Sequence, residues 1–233
     1  MGILYGISTG PGDPELLTVR AVRILERCKV IAAPQKPGTE SLALRIAGGI
    51  ADLRKKQVLP LDFPMTKDTA ALAAAEQTAA EALCHALRTE DVAFLCLGDI
   101  SLYATYSPVA ALVREQGFET VQIPGVMSFS AAAALAGAPL VTGDTPLQVL
   151  PFGCKDLESR LQLPGAKVIL KCGAHMPELV QVLSETDQLS HAYAVENCGL
   201  PDERMIPVLH PDVQCGYFTT VIISAEEHAH VSL

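Results

Sequence analysis

Val92-Ala93-Phe94-Leu95-Cys96-Leu97-Gly98-Asp99-Ile100-Ser101-Leu102-Tyr103-Ala104-Thr105-Tyr106 changes character at Gly98. Before it runs an unbroken apolar stretch of strand length, the pattern of a strand buried on both faces of a parallel sheet. After it, Leu102, Tyr106, Val109, Ala110 and Val113 recur at helical spacing, which predicts a helix from Leu102 to Glu115. The unit reads strand, tight turn, helix. Ligands of open α/β sheets bind beyond the carboxyl ends of such strands, so Asp99 stands where function is expected.

The same unit opens the chain. A strand Ile3–Ile7 leads through Ser8-Thr9-Gly10-Pro11-Gly12-Asp13-Pro14 into a helix from Glu15 to Arg27, with Leu17, Ala21, Ile24, Leu25 and Cys28 on one face. Asp13 can cap that helix, and Pro14 suits its first position. A dinucleotide fingerprint is not completed, because Leu16-Leu17 fall where the third glycine of G-x-G-x-x-G belongs. Pro11 removes a backbone donor, and Asp13 places negative charge where a phosphate would sit. The loop suits a neutral or cationic ligand better than a phosphate, although a turn and cap without any ligand explains the same residues.

Further strands are expected at Lys29–Pro34, Val58-Leu59 and Glu119–Ile123, with helices at Leu42–Leu53, Thr69–Leu87 and Ser130–Ala136. This repeated alternation predicts an α/β fold with a parallel, doubly wound N-terminal sheet. Gly, Pro, Thr and Asp cluster at Pro139–Thr145, which places a domain boundary there, giving domains 1–140 and 141–233. In the second half, strands at Gln148–Leu150, Ala166–Leu170, His191–Val195, Arg204–Ile206 and Tyr217–Ile223 are separated by only two helices, Lys155–Gln162 and Met176–Thr186. Strands in succession without a helix between them imply a mixed sheet.

Composition narrows the function classes. A chain of 233 residues with 49% hydrophobic content can build proper cores, which excludes disorder. No run is long enough to cross a bilayer, and the first residues lack the basic flank and cleavage site of a signal peptide, so a cytoplasmic protein is expected. A net charge of −9 with scattered Lys and Arg argues against a nucleic-acid surface. The seven cysteines form no C-x-x-C pair and fit reduced, packed thiols. Cys96 reads as core. His228 and His230 lack a third ligand and read as a solvated tail, Glu226-Glu227 as a solvated charge pair, and His85 and His175 as surface residues. No metal site is expected.

Four motifs occur in order along the chain: Gly10-Pro11-Gly12-Asp13-Pro14-Glu15-Leu16-Leu17-Thr18, Leu97-Gly98-Asp99 with Ser101-Leu102-Tyr103, Pro124-Gly125-Val126, and Glu196-Asn197. On these the sequence resembles the tetrapyrrole methylases, which use S-adenosylmethionine to methylate intermediates of cobalamin and sirohaem synthesis. Phe63-Pro64-Met65-Thr66-Lys67-Asp68, Ser101-Leu102-Tyr103 and Ser128-Phe129-Ser130-Ala131-Ala132-Ala133 resemble one branch, the precorrin-2 or cobalt-factor II C(20)-methyltransferases.

The resemblance implies two α/β domains, a cofactor folded in the cleft between them, and a homodimer. It places Pro11, Leu97, Gly98, Asp99, Leu102, Met127, Ser128, Cys172 and Cys198 against S-adenosylmethionine, mostly through backbone groups. The macrocycle carbon then attacks an already activated methyl group in line, and the protein supplies alignment and dryness, with neither metal nor covalent nucleophile. No general base is identified, and a role in shaping the turn is expected of Asp99. Lys67 is the candidate for the substrate's carboxylate rim. The sequence departs from the family at Ile100, which replaces a proline, at Met127, which replaces a serine, and at Cys198, which stands where relatives often have glycine. The rival readings are a methylase of another position or target, a non-catalytic S-adenosylmethionine sensor, and, more distantly, a nicotinamide-dependent oxidoreductase. No motif distinguishes a metal-free from a cobalt-containing substrate.

Overall fold

The computed structural model describes residues 1–225. His228, His230 and the Glu226-Glu227 pair lie outside the described residues. The chain divides into two compact units, the first Met1–Met127 and the second beginning at Ser128.

The first unit alternates strands and helices as the sequence predicts: β1 (Ile3–Ser8), α1 (Val19–Arg27), β2 (Val30–Gln35), α2 (Leu42–Gly48), β3 (Gln57–Asp62), α3 (Thr69–Leu87), β4 (Val92–Cys96), α4 (Tyr106–Glu115) and β5 (Glu119–Ile123). The sheet order is β3-β2-β4-β1-β5, and every pairing is parallel. All five residues of β4 are buried, as the apolar run requires of a strand in the middle of the sheet. Ala79, Leu83 and Leu87 of α3 and Val109, Ala110 and Val113 of α4 close over the sheet in one apolar cluster with Phe94 and Leu4. Burying each large aliphatic side chain contributes roughly 1.5–3 kcal/mol, so this cluster holds the strand ends in place.

Several boundaries differ from the sequence expectation; the expected strand Val58-Leu59, for example, runs from Gln57 to Asp62. The helix expected from Glu15 is two elements: a 3-10 turn at Pro14–Leu16 capped by Asp13, then α1, whose N-cap Thr18 accepts from the Ala21 N–H at 3.2 Å. Leu17 between them is extended and buried. The helix expected to reach Leu53 stops at Gly48-Gly49. β2 runs through Pro34 because β4 pairs only with Val30–Ala32, which leaves that side of the strand open where a missing N–H costs nothing. The helix expected from Leu102 begins at Tyr106, for reasons that belong to the site.

The second unit holds α5 (Ser128–Leu135), β6 (Leu147–Pro151), α6 (Leu157–Leu161), β7 (Ala166–Leu170), α7 (Met176–Glu185), β8 (Ala192–Glu196), β9 (Arg204–Ile206) and β10 (Thr219–Ile223). Its sheet order is β6-β7-β10-β8-β9, with β6 and β7 parallel and the remaining pairs antiparallel, the mixed sheet expected from consecutive strands. The boundary read at Pro139–Thr145 falls later than the division at Ser128 and counts α5 with the first unit. By its packing on β10, α5 goes with the second. Met176, Leu179, Val180 and Leu183 of α7 seal one face with Ile169, Ala194 and Val221.

Candidate functional site

In the first sheet the carboxyl ends of β4, β1 and β5 lie side by side, and the chain leaves β1 toward β2 but β4 toward β5. Neighbouring strands that send their connections opposite ways leave a crevice beyond their ends. The loops there are tied together. The Thr9 N–H and hydroxyl both donate to the Cys96 carbonyl, at 2.8 and 3.0 Å. Gly10 and Gly98 then exchange backbone hydrogen bonds, Gly10 N–H to Gly98 O at 3.2 Å and Gly98 N–H to Gly10 O at 2.8 Å.

Asp99 joins the third strand to this pair. Its Oδ2 accepts from the Gly125 N–H at 2.7 Å, and its Oδ1 accepts from the Ser101 N–H at 2.9 Å and from the Ser101 hydroxyl. Only 5% of the residue is exposed. Burial alone would raise its pKa, but hydrogen bonds from Ser101, Gly125 and Ser8 outweigh it and hold the carboxyl below its ordinary value. Gly125 is obligatory for this closure, because a Cβ there would lie 2.5 Å from the Ser8 Cβ. Asp99 is thus a strut that ties the Ser101 turn after β4 to the Gly125 loop after β5. Leu102 continues the turn, its N–H donating to the Asp99 carbonyl at 3.2 Å, so the helical pattern read from Leu102 is taken up by a turn and helix geometry starts only at Tyr106.

The second unit brings a second set of loops together at the ends of β7 and β8 and the start of β10. Cys172 is fully buried, its Sγ 3.7 Å from Ile169 O and 3.9 Å from Thr219 O, and burial pushes its pKa up to about 12. Cys198 is pushed up to about 11 by burial and by Glu203. Both are thiols at neutral pH and too protonated to act as nucleophiles. Gly173 passes so close to Gly216 that a Cβ on it would lie 1.7 Å from Gly216 O. Glu196 spans the same place: its Oε1 accepts from the Gly216 N–H, and its Oε2 pairs with Arg204 Nη2 at 2.7 Å. Asn197, with φ of 53°, donates its N–H to Phe218 O at 2.9 Å and its side-chain amide to Asp202 at 2.7 Å. Ser128, at the start of α5, receives a hydrogen bond from the Thr220 hydroxyl at 3.1 Å.

Of the residues singled out from sequence, Pro11, Leu97, Gly98, Asp99 and Leu102 thus gather around the β1 and β4 ends, and Met127 closes the first unit. Ser128, Cys172 and Cys198 fall in the second unit, the last two in its loop cluster. Lys67 is exposed in the loop before α3. His85 and His175 are exposed, Cys96 is buried in β4, all seven cysteines are free, and no metal-binding group exists among the described residues. The partners of Asp99 and the Glu196–Arg204 pair were not legible from sequence. Ser8, Ser101 and Gly125 are common residue types, and only the topology brings them to one carboxylate. A hollow of about 340 Å³ at the opposite, amino ends of β1, β2 and β4 is lined by Arg27, Lys29, Glu90 and Asp91 and contains none of these residues.

The turn suits a ligand that lies against backbone. Gly98 has φ of 71°, and a Cβ on it would meet nothing within 4 Å, so its outer face is bare. Pro11 beside it is buried and offers no N–H, which leaves the loop poor in donors for phosphate.

The model of the Tetrapyrrole (Corrin/Porphyrin) Methylases matches residues 3–213. The chain is 34% identical to the precorrin-2 C(20)-methyltransferase of Sinorhizobium sp over 96% of its length and 95% of the relative's. It is 33% identical to the cobalt-precorrin-2 C(20)-methyltransferase of Salmonella typhimurium, covering 97% of each. Among solved structures, the uroporphyrin-III C-methyl transferase of Thermus thermophilus, complexed with S-adenyl homocysteine, superposes with a TM-score of 0.73 at 20% identity, covering 96% of this chain and 97% of that one.

Proposed function

Since the chain belongs to the tetrapyrrole (corrin/porphyrin) methylase family, we propose that it transfers a methyl group from S-adenosylmethionine to carbon 20 of precorrin-2 or its cobalt-containing counterpart, a step of cobalamin biosynthesis. The observation that carries this reading is near full-length similarity to relatives of both kinds at 33–34% identity. The protein works in the cytoplasm as a homodimer.

S-adenosylmethionine supplies a methyl group activated by its sulfonium sulfur. The chain's own contribution is placement and exclusion of water, and rigid alignment of this kind can supply roughly 7–11 kcal/mol of a barrier. Pro11, Leu97, Gly98, Asp99, Leu102 and Met127 in the first unit and Ser128, Cys172 and Cys198 in the second are assigned to the cofactor. The bare face of Gly98 and the donor-poor Pro11 fit a ligand without phosphate. Asp99 fixes the turn and exchanges no proton, because its oxygens are already hydrogen-bonded. Lys67, exposed and cationic, meets the carboxylate rim of the macrocycle. A Lys67→Ala variant with unaltered KM for the tetrapyrrole removes that assignment.

The test is anaerobic incubation of the purified protein with S-adenosylmethionine and, separately, precorrin-2 and cobalt-factor II, followed by absorbance and mass. Gain of one methyl group on one of them establishes the activity and its metal requirement. Cofactor binding without methylation of either overturns the C(20) reading in favour of another methylase target or a sensor.

A further inference from the structure

Tyr103 has a backbone φ of 53°, the left-handed region that a bulky side chain enters only when its surroundings hold it there. The hold is visible on both sides. Upstream, Ser101 is fastened by its N–H and hydroxyl to Asp99, and the Leu102 N–H is fastened to the Asp99 carbonyl. Downstream, Tyr106 is wholly buried and meets the Phe94 ring edge to face with centroids 5.4 Å apart. A rigid turn and a buried anchor thus leave three residues to bridge the gap, and Thr105, the N-cap of α4, makes no side-chain capping bond. Local propensity would place Asn or Gly at position 103. An aromatic ring stands there instead, 48% exposed, in the loop beyond the carboxyl end of β4.

We propose that Tyr103 is a specificity-determining residue whose ring stacks on the flat face of the tetrapyrrole, and that the left-handed backbone exists to present it. This inference rests on the methyltransferase reading. A conjugated macrocycle offers a wide apolar face that an exposed aromatic ring matches, while its carboxylates lie at the rim. Strain at a binding loop is the expected signature of a side chain retained for its contact and against its own backbone preference.

The test compares Tyr103→Asn, Tyr103→Gly and Tyr103→Phe in the full chain. Asn and Gly accept the left-handed backbone, so folding is preserved. Both should fold and keep the S-adenosylmethionine Kd of the wild type, while kcat/KM for the tetrapyrrole falls roughly tenfold or more, mainly through KM. Tyr103→Phe should behave as wild type, because the ring and not the hydroxyl makes the contact. An unchanged tetrapyrrole KM in the Asn and Gly variants overturns the proposal. So does a parallel loss of cofactor affinity, or a Phe variant as impaired as the Asn variant. If the wild type methylates neither tetrapyrrole, the C(20) reading itself fails; if it is active and Tyr103→Asn matches it, only the Tyr103 inference fails.

Discussion

Asp99 and Glu196 are carboxylates at the ends of the two sheets, and each fastens loops that sequence alone would leave independent. They do so by different physics. Asp99 sits where parallel strands all end the same way, so their loops emerge together with backbone N–H groups to satisfy, and neutral donors from Ser8, Ser101 and Gly125 converge on it. Glu196 sits in a mixed sheet, where β10 begins beside the ends of β7 and β8. There the backbones meet directly at Gly173 and Gly216, and the carboxylate shares its charge with Arg204, whose side chain is 51% exposed. The first arrangement holds geometry through a buried, fully hydrogen-bonded anion, the second through close backbone contact with an ion pair over it.

If close contact holds the second region, Gly173→Ala is the most damaging single change. The added Cβ would lie 1.7 Å from Gly216 O and 2.6 Å from Gly216 C, both backbone atoms that cannot swing away. A loss of at least about 3 kcal/mol in denaturant unfolding is expected. Gly216→Ala, whose Cβ would meet only the flexible Glu196 Oε1 at 3.0 Å, should cost far less. Equal costs for the two would show that the loops are not locked at Gly173.

For the first region, Asp99→Asn turns one oxygen into an amide that faces a donor, whichever way it lies. A loss of about 2–3 kcal/mol at pH 7 is expected, within the range for a hydrogen-bonded buried charge. The pH dependence follows from the lowered pKa. Asp99 binds its proton less readily folded than unfolded, where its pKa is about 3.9. Its stabilisation is therefore complete above that value and fades as the pH falls through the lower, folded pKa. The difference in unfolding free energy between wild type and Asp99→Asn should accordingly shrink in acid, and a constant difference would contradict the strut.

Ile100 tests the fine structure of that strut. The sequence resemblance sets a proline at this position, yet Ile100 donates its N–H to Ser8 Oγ at 2.9 Å, a bond no proline can make, and it leaves the serine hydroxyl proton for Asp99. Its side chain is 1% exposed. Ile100→Pro should cost about 1–2 kcal/mol through the lost bond and the smaller buried side chain. A neutral or stabilising outcome would show that Ser8 takes its orientation from elsewhere.

How much of this was legible in the sequence differs between the same two regions. The apolar run Val92–Leu97 and the helix Thr69–Leu87 announced the parallel sheet because buried strands and amphipathic helices carry local patterns. Gly98-Asp99 was legible as a turn at a strand end. Which N–H groups meet Asp99 was not, since Gly125 lies 26 residues away and reaches it only through the order of the strands. The turn at Leu102 was hidden for a related reason: its apolar spacing is helical, and the tertiary bonds of Asp99 and Ser101 override it. In the second region Glu196-Asn197 stood out as a motif, while the Arg204 partnership and the contact of Gly173 with Gly216 depend on antiparallel pairing that no local pattern encodes.

The smallest expected effect completes the contrast. Glu196→Gln keeps an amide oxygen for the Gly216 N–H and deletes only the charge facing Arg204. Arg204 is half-exposed and also donates to Gln214 O at 2.6 Å, so it retains both water and a protein partner. A pair in that setting contributes about 0.5–1 kcal/mol and is weakened by salt. Glu196→Gln should therefore lose about that much in dilute buffer and little at high ionic strength, whereas the larger cost of Asp99→Asn should persist in salt because its donors are neutral and buried. Unfolding curves of both variants at low and high salt separate the two cases. A Glu196→Gln loss as large and as salt-insensitive as that of Asp99→Asn would mean that the two carboxylates work alike, and that the close contact at Gly173 is not what holds the second region.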